Sequence, residues 1–472
     1  MRRTILMYFV ILVGLSALLA CGGGEKKEPP VQHWEPFVPK VKGTDVNKLY
    51  QQWDQDLAKL PLTYLGQIRP LLDEKCNACH KSGGVGPFDF TKYENVVKYR
   101  NVIKNAISSG RMPPWQADNE CNEYVDTISL LPRQKQVLLD WIEKGAPKGK
   151  AVTTKVPKPA ALGLSREDVR LTLPNPYKPK GKPDDYRCFV MDWPGEKVQY
   201  ITGFRAIPGN KAIVHHMIAF LVKPDEVKKY RALEAKESGD GYTCFGGPGG
   251  KNVYPNWLGA WAPGGQGRDF PAGTGIKIEP GSKVVLQIHY NLATAKDQRD
   301  QSSIAFKMSE QVEKEAELMP LAGFEWIDPD KKMMHIPAGK SDVRHRFAFE
   351  YTAFNDNRPL QIFSAALHMH MLGKSARIFI ERGSAKKQAK GPFKEACLLH
   401  IPKWNFEWQR SYPLETSVLL YPGDKLGIEC KWDNSQQNQP VVNGVKRKTR
   451  DVYWGDGTYD EMCLGLLYMV KL

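Results

Sequence analysis

Two short stretches hold residue types that bind redox metals. Val214-His215-His216-Met217 lies inside an apolar run, and Leu367-His368-Met369-His370-Met371 follows the apolar residues 360–366. Such a run reads as a buried strand, on which residues i and i+2 point to the same face. His368 and His370 therefore project side by side, as a two-pronged imidazole chelate needs for zinc, copper or iron. The same spacing also serves a pair of packing histidines, so the rest of the chain has to decide. His215 and His216 face opposite ways on a regular strand, and can share one metal only where that strand bulges or ends. His289, on a strand whose Val285 and Gln287 share its face, offers a third imidazole to that pair. Met462, in Asp460-Glu461-Met462-Cys463, is the candidate third ligand for His368 and His370. Three histidines without a carboxylate suit copper or zinc. A thioether is of little use to zinc and attractive to Cu(I), so two histidines plus Met462 would hold a copper that cycles through the reduced state.

The elements that must position a second redox group come earlier. Leu65, Ile68, Leu71 and Leu72 have helical spacing and deliver the chain to Cys76-Asn77-Ala78-Cys79-His80. Cys-x-x-Cys-His is the attachment signature of c-type haem: Cys76 and Cys79 form thioethers to the vinyl groups, and His80 sits under the iron. Met112, before Pro113-Pro114-Trp115 on a stiff extended loop, is the expected sixth ligand. A helix opened by Pro132 carries Val137, Leu138, Trp141 and Ile142 and stops at Gly145. It resembles the closing helix of a small cytochrome c domain, here 59–150.

Residues 1–21 read as an export signal, with Arg2-Arg3 before an apolar core too short to span a bilayer convincingly. Leu18-Leu19-Ala20-Cys21 is similar to a bacterial lipobox, which implies lipidation of Cys21 and a place in the cell envelope, at the outer membrane, facing the periplasm or the surface. Residues 22–58 are expected to be a tether, and the Pro- and Lys-rich residues 151–182 a linker. The formal charge of +15 comes from lysines scattered without interleaved aromatics, which argues against a nucleic-acid groove. Beyond the linker, alternating segments such as Lys197–Phe204 are punctuated by Pro208-Gly209, Pro280-Gly281 and Pro422-Gly423. That pattern predicts all-β sandwiches of jelly-roll type, and the length suits two, 183–315 and 316–472. The fold class expected is thus a small all-α cytochrome c domain followed by two β-sandwiches. Cys188–Cys244 is the bridge expected within the first sandwich.

These residues together resemble the copper type II, ascorbate-dependent monooxygenases, the family of peptidylglycine α-hydroxylating monooxygenase and dopamine β-monooxygenase. The resemblance implies two sandwiches with one copper each, across a solvent-filled cleft. His215, His216 and His289 match the electron-storing site; His368, His370 and Met462 match the oxygen-activating, catalytic one. It also implies a bridge between Cys463 and an earlier strand, for which Cys430 fits. Peptide-amidating members use an Arg two residues before the His-x-His and a Tyr four after the Met; here Ala366 and Leu466 stand there. A peptidyl-glycine substrate is therefore in doubt, and a less polar small molecule is favoured. The expectation is a lipid-anchored monooxygenase with two copper ions and one haem. It would use O2 and an external donor, ascorbate or another, that reloads the haem. The rival expectation is a non-catalytic electron-transfer or copper-handling lipoprotein.

Overall fold

The computed structural model describes residues 46–472 apart from 83–85, 126, 152–162, 181–183, 245–246, 250–255, 263–264, 293–296, 329–331, 384–394, 407 and 443. Cys21, the export signal and most of the tether lie outside the described residues. The first region holds α1 (Val46–Ala58), α2 (Arg69–Lys75), α3 (Tyr93–Lys98), α4 (Arg100–Ser108) and α5 (Pro132–Glu143). The tether expected to run to residue 58 is thus helical from Val46 onward. Trp53 and Leu57, one turn apart, are buried against Ile68, Leu71 and Leu138, and Asp54 accepts hydrogen bonds from Arg133 and Gln134. This is an ordinary amphipathic helix, hidden at sequence level by the polar residues that precede it.

α2 places the Cys-x-x-Cys-His stretch. Cys76 N still bonds to Leu72 O at 2.8 Å, and Cys79 N and His80 N both bond to Cys76 O, so the motif winds on from the helix end. α4 stops before Gly110, whose φ of 71° turns the chain back until Met112 N meets Ala106 O at 3.1 Å. α5 starts with Pro132 in its first turn and a Gln134 side chain that accepts from Leu131 N.

The remainder is mostly β, in two domains. The first comprises β1 (Val169–Thr172), β2 (Asp184–Asp192), β3 (Gln199–Ile207), β4 (Val214–Val222), α6 (Val227–Glu234), β5 (Tyr242–Thr243), β6 (Asn256–Trp261), β7 (Arg268–Asp269), β8 (Thr274–Ile278), β9 (Lys283–Asn291) and β10 (Ser303–Ser309). Its layers are β1-β10-β3-β8, with β7 on β3, and β6-β4-β9-β2-β5. The second comprises β11 (Lys314–Leu321), β12 (Val343–Phe349), β13 (Leu360–His368), β14 (Gly373–Glu381), β15 (Ala396–Ile401), β16 (Ser411–Leu420), β17 (Lys425–Trp432), the short hairpin β18 (Val441–Val442) and β19 (Val445–Lys446), and β20 (Leu464–Lys471). There β11-β20-β13-β16 forms one layer and β12-β17-β14-β15 the other.

Two boundaries differ from those read from composition. β1, inside the expected linker, pairs antiparallel with β10, and Leu171, Leu173 and Tyr177 are buried. The prolines 174, 176 and 179 follow an edge strand, where a missing N–H is tolerated, so their density misled. β11 belongs to both domains: it runs antiparallel to β20 from Ala316↔Val470 to Leu321↔Gly465, while Leu318 pairs with Trp257 and Lys314 with Thr274.

Cys188 is bonded to Cys244, and Cys430 to Cys463. A third bridge, Cys121–Cys397, joins the helical region to β15. Around it Val125 N bonds to Pro413 O and Glu415 N to Glu123 O, both at 2.9 Å, and Asp118 accepts from His400 Nδ1 at 2.9 Å. Trp115 meets Tyr412 edge to face at 5.2 Å. The helical region is therefore stitched to the second sandwich by main chain, side chain and a covalent bond.

Candidate metal centres

The register of β4 against β9 shifts between Val214 and His216. This bulge is the device the adjacent histidines require: it turns His215 and His216 toward one point, which His289, paired with His216 across the strands, also faces. The three Nδ1 atoms lie 3.1–3.3 Å apart. The point equidistant from them is about 1.9 Å from each, close to the ~2.0 Å of a metal–imidazole bond. Asp184 Oδ1 accepts from His289 Nε2 at 2.8 Å, which puts the ring proton there and leaves the Nδ1 lone pair facing its neighbours. Tyr186 stacks on His289 at 4.0 Å and Phe406 on His215 at 4.9 Å. Burial holds all three imidazoles below their usual range: His215 at about 3, with the His289 and His368 charges adding, and His216 well below. For His289, Asp184 opposes the effect of burial. The set is neutral at pH 7, the state in which imidazole binds metal.

The second set is built at the end of β13. Ala365, Leu367 and Met369 point into the core, so His368 and His370 point out together. Gln409 Nε2 donates to Phe406 O at 2.9 Å, which fixes the amide so that Oε1 accepts from His368 Nδ1 at 2.5 Å. Asp460 O accepts from His370 Nδ1 at 2.9 Å. Both rings thus keep Nε2 for a ligand. Met462 is anchored on either side: Leu464 pairs with His368, and Glu461, directly before Met462, accepts from His370 N at 3.0 Å. Glu461 also accepts from Leu372 N and Trp432 Nε1, and burial pushes its carboxyl up to about 7 against these hydrogen bonds. Cys463 is tied to Cys430 on β17. Burial, partly offset by Gln409, brings His368 to about 4, and burial with the His368 charge takes His370 well below its usual range.

The two sets are not separated by the open cleft that the resemblance implied. His216 and His368 rings are 6.0 Å apart, and Phe406 lies between His215 and His370. The closure has its own fasteners. Thr458, on the loop before Met462, donates to Asp184 Oδ1 at 2.5 Å, and Tyr186 OH donates to Asp456 O. Asp184, Gln409 and Glu461 escaped the reading of the sequence. Asp184 and Gln409 meet their histidines at separations of 105 and 41 residues, and no local pattern announces such contacts.

Asp184 yields a direct test. Asp184→Ala should lower copper affinity at the first set by about 10–100-fold, the usual cost of removing a ligand's orienting partner. Asp184→Asn, which keeps an acceptor oxygen, should lose less; titration against a competing chelator reads both.

Cys76, Cys79, His80 and Met112 line one cavity of about 580 Å³ between the helical region and the sandwiches. The two cysteines are not bonded to each other, and burial pushes the Cys76 thiol up to about 12 and raises that of Cys79. His80 stacks on Phe90 at 4.4 Å. A Cβ at Gly86 would sit 2.6 Å from His80 Nδ1, so glycine is required there. Two thiols, an imidazole and a thioether around one largely apolar void are the donor set that a covalent haem needs. Leu466, whose strand partner is Ala366, lines the sandwich side of the same cavity.

Fold and sites together define a two-sandwich protein with paired histidine-rich centres. Residues 169–297 match the copper type II ascorbate-dependent monooxygenase N-terminal domain, and 327–470 match the C-terminal domain of that family. The two matches cover more than half of the 472 residues, and the chain belongs to this family. It is 24% identical to tyramine beta-hydroxylase of Caenorhabditis briggsae over 64% of this chain and 48% of that protein. It is 22% identical to dopamine beta-hydroxylase of Equus caballus over 65% of this chain and 47% of that protein. Against peptidyl-glycine alpha-amidating monooxygenase A of Xenopus laevis the identity is 24% over 63% of this chain and 27% of that protein. The chain thus spans about half the length, or less, of the curated relatives it matches. Among solved structures, PNGase F of Flavobacterium meningosepticum aligns with a TM-score of 0.27 at 11% identity, over 64% of this chain and 95% of its own.

Proposed function

We propose that the chain is a copper monooxygenase that places one oxygen atom of O2 in a C–H bond of a small substrate, with electrons delivered through a c-type haem. The observation that carries this reading is the pairing of two unlike ligand sets in the family's two domains. One set has three histidines whose nitrogens converge. The other has two histidines with free Nε2 atoms at the end of β13, where His368 pairs with Leu464, two residues after Met462. His368, His370 and Met462 would hold the copper that meets oxygen, and His215, His216 and His289 the copper that stores an electron. Cys76 and Cys79 would carry the haem, with His80 and Met112 as its axial ligands. Bound copper supplies one-electron redox chemistry and oxygen binding, and the haem supplies electrons. Asp184, Gln409 and the Asp460 carbonyl hold the imidazoles in their ligand tautomers. Phe406 and Tyr186 exclude water from the ring faces. Ala366 and Leu466 form an apolar cross-strand pair where peptide-amidating relatives carry Arg and Tyr, which favours a substrate without a carboxylate to anchor. Cys21 would anchor the chain by lipid to the bacterial envelope.

Metal analysis with EPR tests the framework. The expected result is two coppers and one haem per chain, with His216→Ala and Met462→Ala each losing one copper and hydroxylating activity. One copper or none in the wild-type protein would sink the reading and leave an electron carrier on a repurposed sandwich pair.

A further inference from the structure

The cavity at the haem motif touches none of the six candidate copper ligands. Among the described residues, the lining side chain that hydrogen-bonds one of them is Gln409. It is 8% exposed, and both ends of its amide are engaged, Nε2 by Phe406 O and Oε1 by His368 Nδ1. Its neighbours Trp408, Arg410 and Ser411 line the same cavity. Arg410 lies over the Trp115 ring at 5.2 Å, and Trp115 also packs on Tyr412. Trp115 ends the Met112-Pro113-Pro114-Trp115 loop, so a continuous set of contacts leads from Met112 to the Gln409 segment and on to His368. The bridge Cys121–Cys397 and the main-chain bonds between 123–125 and 413–415 hold that segment against the helical region.

We infer that Gln409 is a positioning residue for electron entry. The haem would pass its electron to the copper of His368, His370 and Met462, and not first to the storage set of His215, His216 and His289. This rests on the proposed function above. The step is one electron: ferrous haem becomes ferric and cupric ion at the second set becomes cuprous, with no proton moved. A one-electron donor, ascorbate or a carrier protein, then returns the haem to the ferrous state. Gln409 serves by fixing the His368 ring and by filling the space between that ring and the cavity with a bonded side chain. Among the described residues no cavity-lining side chain hydrogen-bonds His215, His216 or His289, which β4 and β9 present toward Phe406 and Asp184.

The test is flash reduction of the haem in the complete, copper-loaded, anaerobic protein, with haem absorbance followed in time and the EPR signals of both coppers read after trapping. Haem and copper are counted first. A preparation lacking the haem band or either copper overturns the function reading, and this inference with it. In loaded protein, haem reoxidation should be first order and independent of protein concentration, and the second set's cupric signal should fall first. His216→Ala should keep the fast phase and His368→Ala should lose it. Gln409→Leu, which keeps size without the hydrogen bonds, should slow it by about tenfold, the scale on which one member of a contact network alters coupling. If Gln409→Leu sheds the second copper, Gln409→Asn takes its place with the same expectation. A fast phase that survives His368→Ala, or an unchanged rate in a fully loaded Gln409 variant, overturns the entry route and leaves the function reading standing.

Discussion

Glu461→Ala should destabilise the second sandwich by about 3–5 kcal/mol and empty its copper site while the first site stays loaded. The carboxylate is fully buried and receives His370 N and Trp432 Nε1 on Oε2 and Leu372 N on Oε1. Alanine would leave these three donors without a partner, and each orphaned buried donor costs about 1–3 kcal/mol. The relief of a desolvated carboxyl offsets part of the sum. Position matters as much as energy. Glu461 joins the backbone of His370 to the residue next to Met462, so its loss frees two of the three proposed ligands at once. Glu461→Gln keeps one acceptor oxygen but turns an NH2 toward a donor, and should recover only part of the loss. A thermal midpoint together with EPR counting of the two coppers separates these outcomes.

Metal-free protein should lose stability steeply as pH falls below about 6.5, the ordinary imidazole pKa. Five histidines, His289 and His370 buried and His215, His216 and His368 half-buried, have folded pKa values depressed by desolvation, His215 to about 3 and His368 to about 4. Above the unfolded value, both states are neutral and nothing is lost. Below it, the unfolded chain takes up protons that the folded chain refuses. Each such histidine then removes up to about 1.4 kcal/mol per pH unit, until the pH reaches its folded pKa. Copper competes with those protons, so loading should move the loss to lower pH. Denaturant midpoints of metal-free and copper-loaded protein from pH 8 to 4.5 would read this. A flat metal-free curve would mean that the imidazoles are hydrated and the sites open.

The readable parts of the molecule were those whose chemistry is local. The His368/His370 alternation and the Pro-Gly turns each occupy a few consecutive residues, and the structure has the strand and the turns that they imply. For His215 and His216 to share a metal the strand had to bulge or end, and β4 has the bulge. The remainder depends on contacts between distant segments. Cys121 and Cys397 are 276 residues apart, and nothing near either indicates that the helical region docks on β15. β1 was concealed because prolines beside an edge strand look like linker. The closeness of His216 to His368 follows from Asp184–Thr458 and Tyr186–Asp456, which join β2 to a loop some 270 residues on.

The shared strand β11 bears on how the chain can be divided. A cut between 315 and 316, where composition places the domain boundary, falls inside that strand. A fragment ending there would keep Lys314 and Glu315 on β8 but leave β6 without its Leu318 neighbour. A cut that instead gave all of β11 to the first half would strip β20 along its length and bare a hydrogen-bonding edge, the kind that recruits other chains. Half-length pieces should therefore self-associate when expressed alone, although each contains a complete set of histidines. The smallest unit worth purifying keeps both sandwiches in one polypeptide.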